Sequence, residues 1–130
     1  MNIPSELRYT RDHEWVRVAG GEGTIGISEY AQGELGDIVY IDLPDVGKPV
    51  RQGEPFGSIE AVKAASDMFA PVSGEVTAVN GLLDQSPDLI NKSPYGDGWI
   101  IRVKLADPAE LDTLLDAKAY EQLIAQSHQE

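Results

Sequence analysis

Of the side chains in this 130-residue sequence that could take part in chemistry, Lys63 has the most unusual setting. It is the sole Lys or Arg between Gln52 and Asn91, a stretch whose acids are Glu54, Glu60, Asp67, Glu75, Asp84 and Asp88. β-Favouring apolar segments, Pro55 to Ala61 and Met68 to Val79, flank a tip of small residues at Val62, Lys63, Ala64 and Ala65. That pattern predicts a hairpin with a lysine at its turn. A lysine on a surface strand is ordinarily a solubilising charge that discourages edge pairing. Here a single amine is held on a short loop in an anionic setting, with room around it for a second protein to reach it.

Other reactive constellations are missing. His13 and His128 are the only histidines, too few and too far apart for a usual metal site. His13 beside Glu14 reads as a strand-edge pair, because no nucleophile motif accompanies it. No phosphate-binding glycine loop is followed by Lys and Ser or Thr. Cysteine is absent, which excludes disulfides, thiol nucleophiles and thiolate metal ligands.

Glu60-Ala61-Val62-Lys63-Ala64, with Ala70-Pro71-Val72-Ser73-Gly74-Glu75-Val76 after it, resembles the lipoyl-attachment hairpin of swinging-arm carriers, and most closely that of the glycine cleavage H proteins. The likeness continues through His13-Glu14-Trp15-Val16, Gly26-Ile27, Ala31-Gln32, Asp42-Leu43-Pro44, Val46-Gly47, Asn91, Ser93-Pro94-Tyr95 and Gly98-Trp99. The resemblance implies a mainly β barrel-sandwich hybrid with short helices, one of them C-terminal. It implies a non-catalytic carrier with lipoate attached to Lys63 and with Glu60, three residues earlier, as the charge read by a lipoyl or octanoyl transferase or a lipoate ligase. Lysine is ordinarily protonated at neutral pH, so that enzyme must activate the amine. Acylation removes one cation and takes the net charge from −12 to −13.

The resemblance further implies service to three enzymes. A pyridoxal-phosphate glycine decarboxylase (P protein) loads an aminomethyl group. A tetrahydrofolate-dependent aminomethyltransferase (T protein) unloads it, and dihydrolipoamide dehydrogenase (L protein) restores the disulfide. In the family the loaded arm retreats into a cleft on the carrier. Glu14 and Asp67 match acidic positions of that cleft, and a carboxylate facing an ammonium is a strong pairing. Tyr30 stands where the family commonly has a histidine, and Asp12 replaces a commonly uncharged neighbour. Tyrosine does not titrate near neutrality, so arm protection is expected to depend less on pH here. An H-like lipoyl relay and an unmodified acidic scaffold are the competing readings. A biotin carrier lacks support because Val62 and Ala64 replace the usual methionines at the tip. A lipoyl domain of a 2-oxo acid dehydrogenase is disfavoured by the want of a Pro- and Ala-rich linker.

Composition agrees with a carrier. A formal charge of −12 repels nucleic acid and anionic membranes and favours partners with basic patches. No apolar run approaches the roughly 18 residues that span a bilayer, and Met1 to Tyr9 has neither signal-peptide nor transit-peptide character. A cytoplasmic protein with one carrier domain over residues 1–130 is expected.

Several elements must position the lysine. Strands flank the Gly20-Gly21 turn, and Ser28 caps a helix over Glu29 to Leu35 that Gly36 ends. Asp37 to Asp42 reads as a buried strand, and Trp99 to Leu105 as a strand with alternating faces. Residues 81–98 read as a long loop with a helical turn near Pro87 to Ile90. Asp107-Pro108-Ala109-Glu110 predicts a capping box opening a helix. Asp116 restarts it, and Tyr120, Leu123 and Ile124 form its apolar face, expected to pack on the sheet. Gln126 to Glu130 are expected to fray. Paired Gly-Glu steps at 53–54 and 74–75 suggest two quasi-equivalent halves.

Overall fold

Gly20 and Gly21 both adopt positive φ, 59° and 80°, the backbone that a two-residue hairpin turn needs to match strand twist. They join β2 (Glu14–Ala19) to β3 (Glu22–Ile27). The computed structural model describes residues 2–128, and its strands form two antiparallel sheets. Around the β2–β3 hairpin the larger sheet adds β1 (Arg8–Tyr9) outside β2, then β9 (Ile101–Leu105), β8 (Gly74–Val79) and β5 (Pro49–Val50) beyond β3. The smaller sheet holds β4 (Ile38–Asp42), β6 (Pro55–Ala61) and β7 (Ala65–Phe69), in that order.

Alternation along the strands puts one apolar face of each sheet inward. Val16, Ile25, Val76 and Val103 of the larger sheet share a buried cluster with Ile41, Phe56, Ile59 and Met68 of the smaller one. Each such side chain contributes about 1.5–3 kcal/mol when removed from water. The architecture is thus the expected mainly β sandwich with short helices. A second cluster lies where α3 (Ala117–His128) packs against Leu7, Tyr9 and Trp15 through Tyr120 and Ile124. The Tyr9 and Tyr120 rings stack with centroids 4.4 Å apart and 1° between planes. Trp15 Nε1 donates to the carbonyls of Ile27 at 3.0 Å and Pro94 at 3.1 Å. The C-terminal helix is therefore part of the body, as its apolar stripe predicts.

Three expectations need correction. Met68 to Val79 is not one arm of a hairpin. β7 stops at Phe69, Pro71 interrupts the run, and β8 pairs in the other sheet. A proline cannot donate to a ladder, and this one marks the crossing between sheets. β4 is only half buried: Val39 and Tyr40 are exposed because β4 is an edge strand with an irregularity between Ile38 and Tyr40.

The capping box does not form. Asp107 accepts from Ala109 N at 3.1 Å, but Pro108–Thr113 is a 3-10 turn. Glu110 turns away to accept from Ser73 N at 2.7 Å and Ser73 Oγ at 2.8 Å. Those charge-assisted bonds tie two distant segments and outcompete the local cap. The helix begins instead at the Asp116 cap, whose carboxylate accepts from Ala119 N at 2.8 Å. α3 runs through His128, and the expectation of a frayed end from Gln126 reaches Gln129 and Glu130, which lie outside the described residues. The two Gly-Glu steps also differ in their needs. Gly53 turns at φ 84°, whereas a Cβ at Gly74 would lie 2.1 Å from the Lys104 carbonyl oxygen.

Gly26 sits opposite Trp15 in the β2–β3 register, and a Cβ there would lie 2.6 Å from the indole ring. Gly26→Ala is expected to destabilise the fold by about 1–3 kcal/mol through overpacking, read as a lower urea midpoint. Gly33→Ala, where a Cβ meets open space on a helix, is expected to leave the midpoint unchanged or raised.

Candidate functional site

The site is built on the corner between α1 (Glu29–Leu35) and β4. Ser28 caps α1, its hydroxyl accepting from Ala31 N at 3.2 Å. Gly36 ends it at φ 83° and ψ −156°, a backbone open almost only to glycine. α2 (Leu89–Lys92), the helical turn expected near Pro87 to Ile90, delivers Asn91 to this corner. Asn91 Nδ2 donates to Gly36 O at 2.8 Å and to Gln32 Oε1 at 2.9 Å, while Ile38 N donates to Asn91 Oδ1 at 3.0 Å. Helix end, corner and strand start are thereby locked by one amide.

The hairpin tip hangs from that corner. Val62 N donates to Asp37 O at 2.9 Å, and Ala61 N donates to Ala64 O at 2.8 Å, closing the bend between β6 and β7. Lys63 is exposed at the tip, as predicted. Its aliphatic stem lies over Gly36: a Cβ there would be 3.3 Å from both Lys63 Cδ and Cε. The only ion pair among the described residues is Lys92 with Asp88 at 3.0 Å, so no carboxylate engages the Lys63 amine. Glu60 is exposed one row below the tip, between Tyr40 of β4 and Ala65 of β7.

Beside the lysine, a cleft of about 160 Å³ opens between α1 and the flank of the hairpin. Leu35, Ile59 and Met68 give it apolar walls, and Asp12, Glu34 and Asp67 give it acidic ones. Glu14 also lines it, although only 2% of its surface is exposed. Thr10 Oγ1 donates to Glu14 Oε1 at 2.6 Å and Phe69 N donates to Oε2 at 3.2 Å. Those bonds favour the carboxylate, yet burial outweighs them and pushes its pKa up to about 7. Near neutrality this group is therefore poised between acid and anion.

The structure brings Glu14 and Asp67 to one cleft. Tyr30 stands one ring away, packed on His13 with centroids 4.8 Å apart, and is not among the residues that line it. His13 is the ring that lines the cleft. It precedes β2 at φ 74°, lines the cleft, and is no strand-edge residue. Sequence reasoning missed His13 and Glu34 as cleft residues, the approach of the Lys63 stem to Gly36, and the bracing by Asn91. The spacing of Ala31, Glu34 and Leu35, neighbours on one helix face, was the available signal for the cleft wall. Among the described residues no group of three His, Asp or Glu side chains is placed to hold a metal ion, and no helix is long and apolar enough to cross a membrane.

Residues 7–127 match the family model described as glycine cleavage H-protein. Among curated proteins, the chain is 56% identical to the glycine cleavage system H protein of Methylacidiphilum infernorum over 124 residues, which is 95% of this chain and 97% of that protein. It is 52% identical to the protein of the same name from Symbiobacterium thermophilum over 120 residues, covering 92% of this chain and 94% of that one. The crystal structure of a glycine cleavage system H protein from Mycobacterium marinum superposes with a TM-score of 0.84 at 36% identity, covering 97% of this chain and 99% of that one.

Two outcomes follow from the geometry. Asn91→Ala leaves Gly36 O and Ile38 N without partners, and is expected to cost about 1–3 kcal/mol. Amide hydrogen exchange at Val62 should accelerate in that variant more than exchange at Val103 in the core. For Glu14, the folded pKa lies above the unfolded value of 4.5, at about 7. The folded state therefore holds the extra proton between those values, and stability falls as pH rises through that window. The loss is on the order of 3 kcal/mol at about 1.4 kcal/mol per unit. The difference between native protein and Glu14→Gln in urea titrations from pH 4.5 to pH 7 should show that slope.

Proposed function

The chain belongs to the glycine cleavage H-protein family, and from that premise we propose that Lys63 is its lipoyl attachment point and that the cleft beside it receives the loaded arm. Members of this family are lipoate carriers of the glycine cleavage system. The observation that carries the residue assignment is an unpaired amine on a braced, exposed bend whose stem already leans over the helix that walls the cleft. When bound, lipoate supplies a redox-active disulfide that accepts and releases the aminomethyl group of glycine.

The chain's own residues do the rest. The hairpin presents Lys63 to the lipoyl or octanoyl transferase or lipoate ligase, and Glu60, exposed on the adjoining strand, offers it a charge to read. The apolar walls at Leu35, Ile59 and Met68 exclude water from a folded-back arm. Glu14 and Asp67 pair with the cationic amine of the cargo. That pairing favours the ionised form of Glu14, so seating the cargo releases protons near neutral pH. Tethering keeps the cargo at high effective concentration for each docked enzyme in turn: glycine decarboxylase, aminomethyltransferase and dihydrolipoamide dehydrogenase. The acidic surface favours basic docking faces on those partners. The whole chain, 1–130, acts as one carrier domain in the cytoplasm, with no catalytic residue of its own.

The test is carbon exchange between glycine and bicarbonate, catalysed by glycine decarboxylase with the lipoylated chain. Native protein is expected to support exchange and Lys63→Arg to abolish it. A lipoylated chain that supports no exchange, yet donates lipoyl groups to another acceptor protein, would overturn this reading in favour of a lipoyl relay.

A further inference from the structure

Ser28, Tyr120 and His13 form a buried hydrogen-bonded chain that the carrier reading leaves unused. Tyr120 Oη lies 2.6 Å from Ser28 Oγ and 2.9 Å from His13 Nδ1. Ser28 and Tyr120 are both fully buried, so every hydroxyl hydrogen needs a partner in the protein. The direction of the chain follows from counting hydrogens. Ser28 Oγ already accepts from Ala31 N, and its only further polar neighbour among the described residues is Tyr120. Its hydrogen goes to Tyr120 Oη, the one remaining acceptor recorded for it among the described residues. The Tyr120 hydrogen is then left for His13 Nδ1, which must be the bare nitrogen of a neutral ring.

We propose that Tyr120 of the C-terminal helix fixes His13 as the neutral tautomer with its proton on Nε2, giving the arm cleft a constant hydrogen-bond donor beside its carboxylates. This rests on the reading of that cleft as the arm's resting place. Nε2 has no protein partner among the described residues, and the ring lines the cleft. The donor suits an acceptor on the arm, a sulfur or an amide oxygen, while Glu14 and Asp67 suit the cargo's cation. A neutral ring matters because an imidazolium would repel that cation.

Two carboxylates favour charging the ring, Asp12 on its own segment and Glu34 from α1, while Glu14 and Asp67 from β7 face the same cleft. Burial opposes them and holds His13 below the ordinary histidine pKa. The Tyr120 bond adds to that opposition, because protonating Nδ1 would reverse it and leave one of the two hydroxyl hydrogens, of Ser28 or Tyr120, without an acceptor. Tyr30 packs on one side of the ring, with centroids 4.8 Å apart. Tyr120 is thus a positioning residue, acting on the cleft through His13.

The experiment uses ¹⁵N-labelled protein with His128→Ala, so that His13 is the only histidine. Two-bond imidazole spectra above the His13 titration should show the Nε2–H tautomer; the Nδ1–H tautomer would overturn the proposal. Tyr120→Phe keeps the ring stack on Tyr9, and should give mixed tautomers with a His13 pKa raised by about half a unit, roughly a threefold change in protonation. An unchanged tautomer and pKa would also overturn it. On the lipoylated, loaded protein, cargo loss in Tyr120→Phe should accelerate over native as pH falls through the His13 titration. If Tyr120→Phe matches native at every pH while Glu14→Gln speeds the loss, the cleft reading stands and the role of His13 falls. If neither variant changes the loss, the cleft reading fails and takes this inference with it.

Discussion

One side-chain amide, Asn91, holds the corner from which the hairpin tip is hung. Its three hydrogen bonds satisfy a helix-end carbonyl and a strand-start amide at the same time. Without that brace, Gly36 would be a hinge, since a glycine, which its φ of 83° requires, has no side chain with which to resist movement. With it, the Asp37 carbonyl is a fixed anchor for Val62, and the bend that carries Lys63 inherits the rigidity of the helix. A carrier needs a mobile arm on an immobile base. In the proposed reading the mobility belongs to the tether, and the protein's part is to keep Lys63 from wandering.

In the proposed reading, the cleft is where the same scaffold meets a charged cargo. Glu14 is buried next to Trp15, at the junction of the two hydrophobic clusters. Burial raises its proton affinity, and the donors Thr10 and Phe69 limit the rise, so the group is left ready to ionise when a cation arrives. A fully solvated carboxylate would bind that cation weakly, and a deeply buried one without donors would stay protonated. The observed arrangement lies between these limits. The C-terminal helix completes the cleft indirectly, since Tyr120 reaches through the second cluster to both His13 and the Ser28 cap of α1.

Legibility in the sequence followed the range of the interactions. The Gly20-Gly21 turn, the Ser28 cap, the Gly36 stop and the Asp107 and Asp116 caps are local, and each was readable from residue types a few positions apart. The lysine at the bend was readable because alternation and small residues mark a hairpin. The failures share a cause. Glu110 abandons its capping box for Ser73, 37 residues away, and no local rule weighs that competitor. His13 gained its place from a positive φ and from Tyr120, 107 positions distant. Met68 to Val79 looked continuous because both its parts favour strands; which sheet each part joins is a tertiary matter. Glu14 and Asp67 were found by resemblance, whereas Tyr30 fell one ring short because its helix face turns it onto His13.

The most direct measurement is the intact mass of the protein made beside active lipoylation enzymes, with peptide mapping of the modified residue. A single lipoyl increment located on Lys63, and lost in Lys63→Arg, is the predicted result. An increment that survives in Lys63→Arg, or a native protein that stays unmodified beside a control carrier that is modified, would contradict the account.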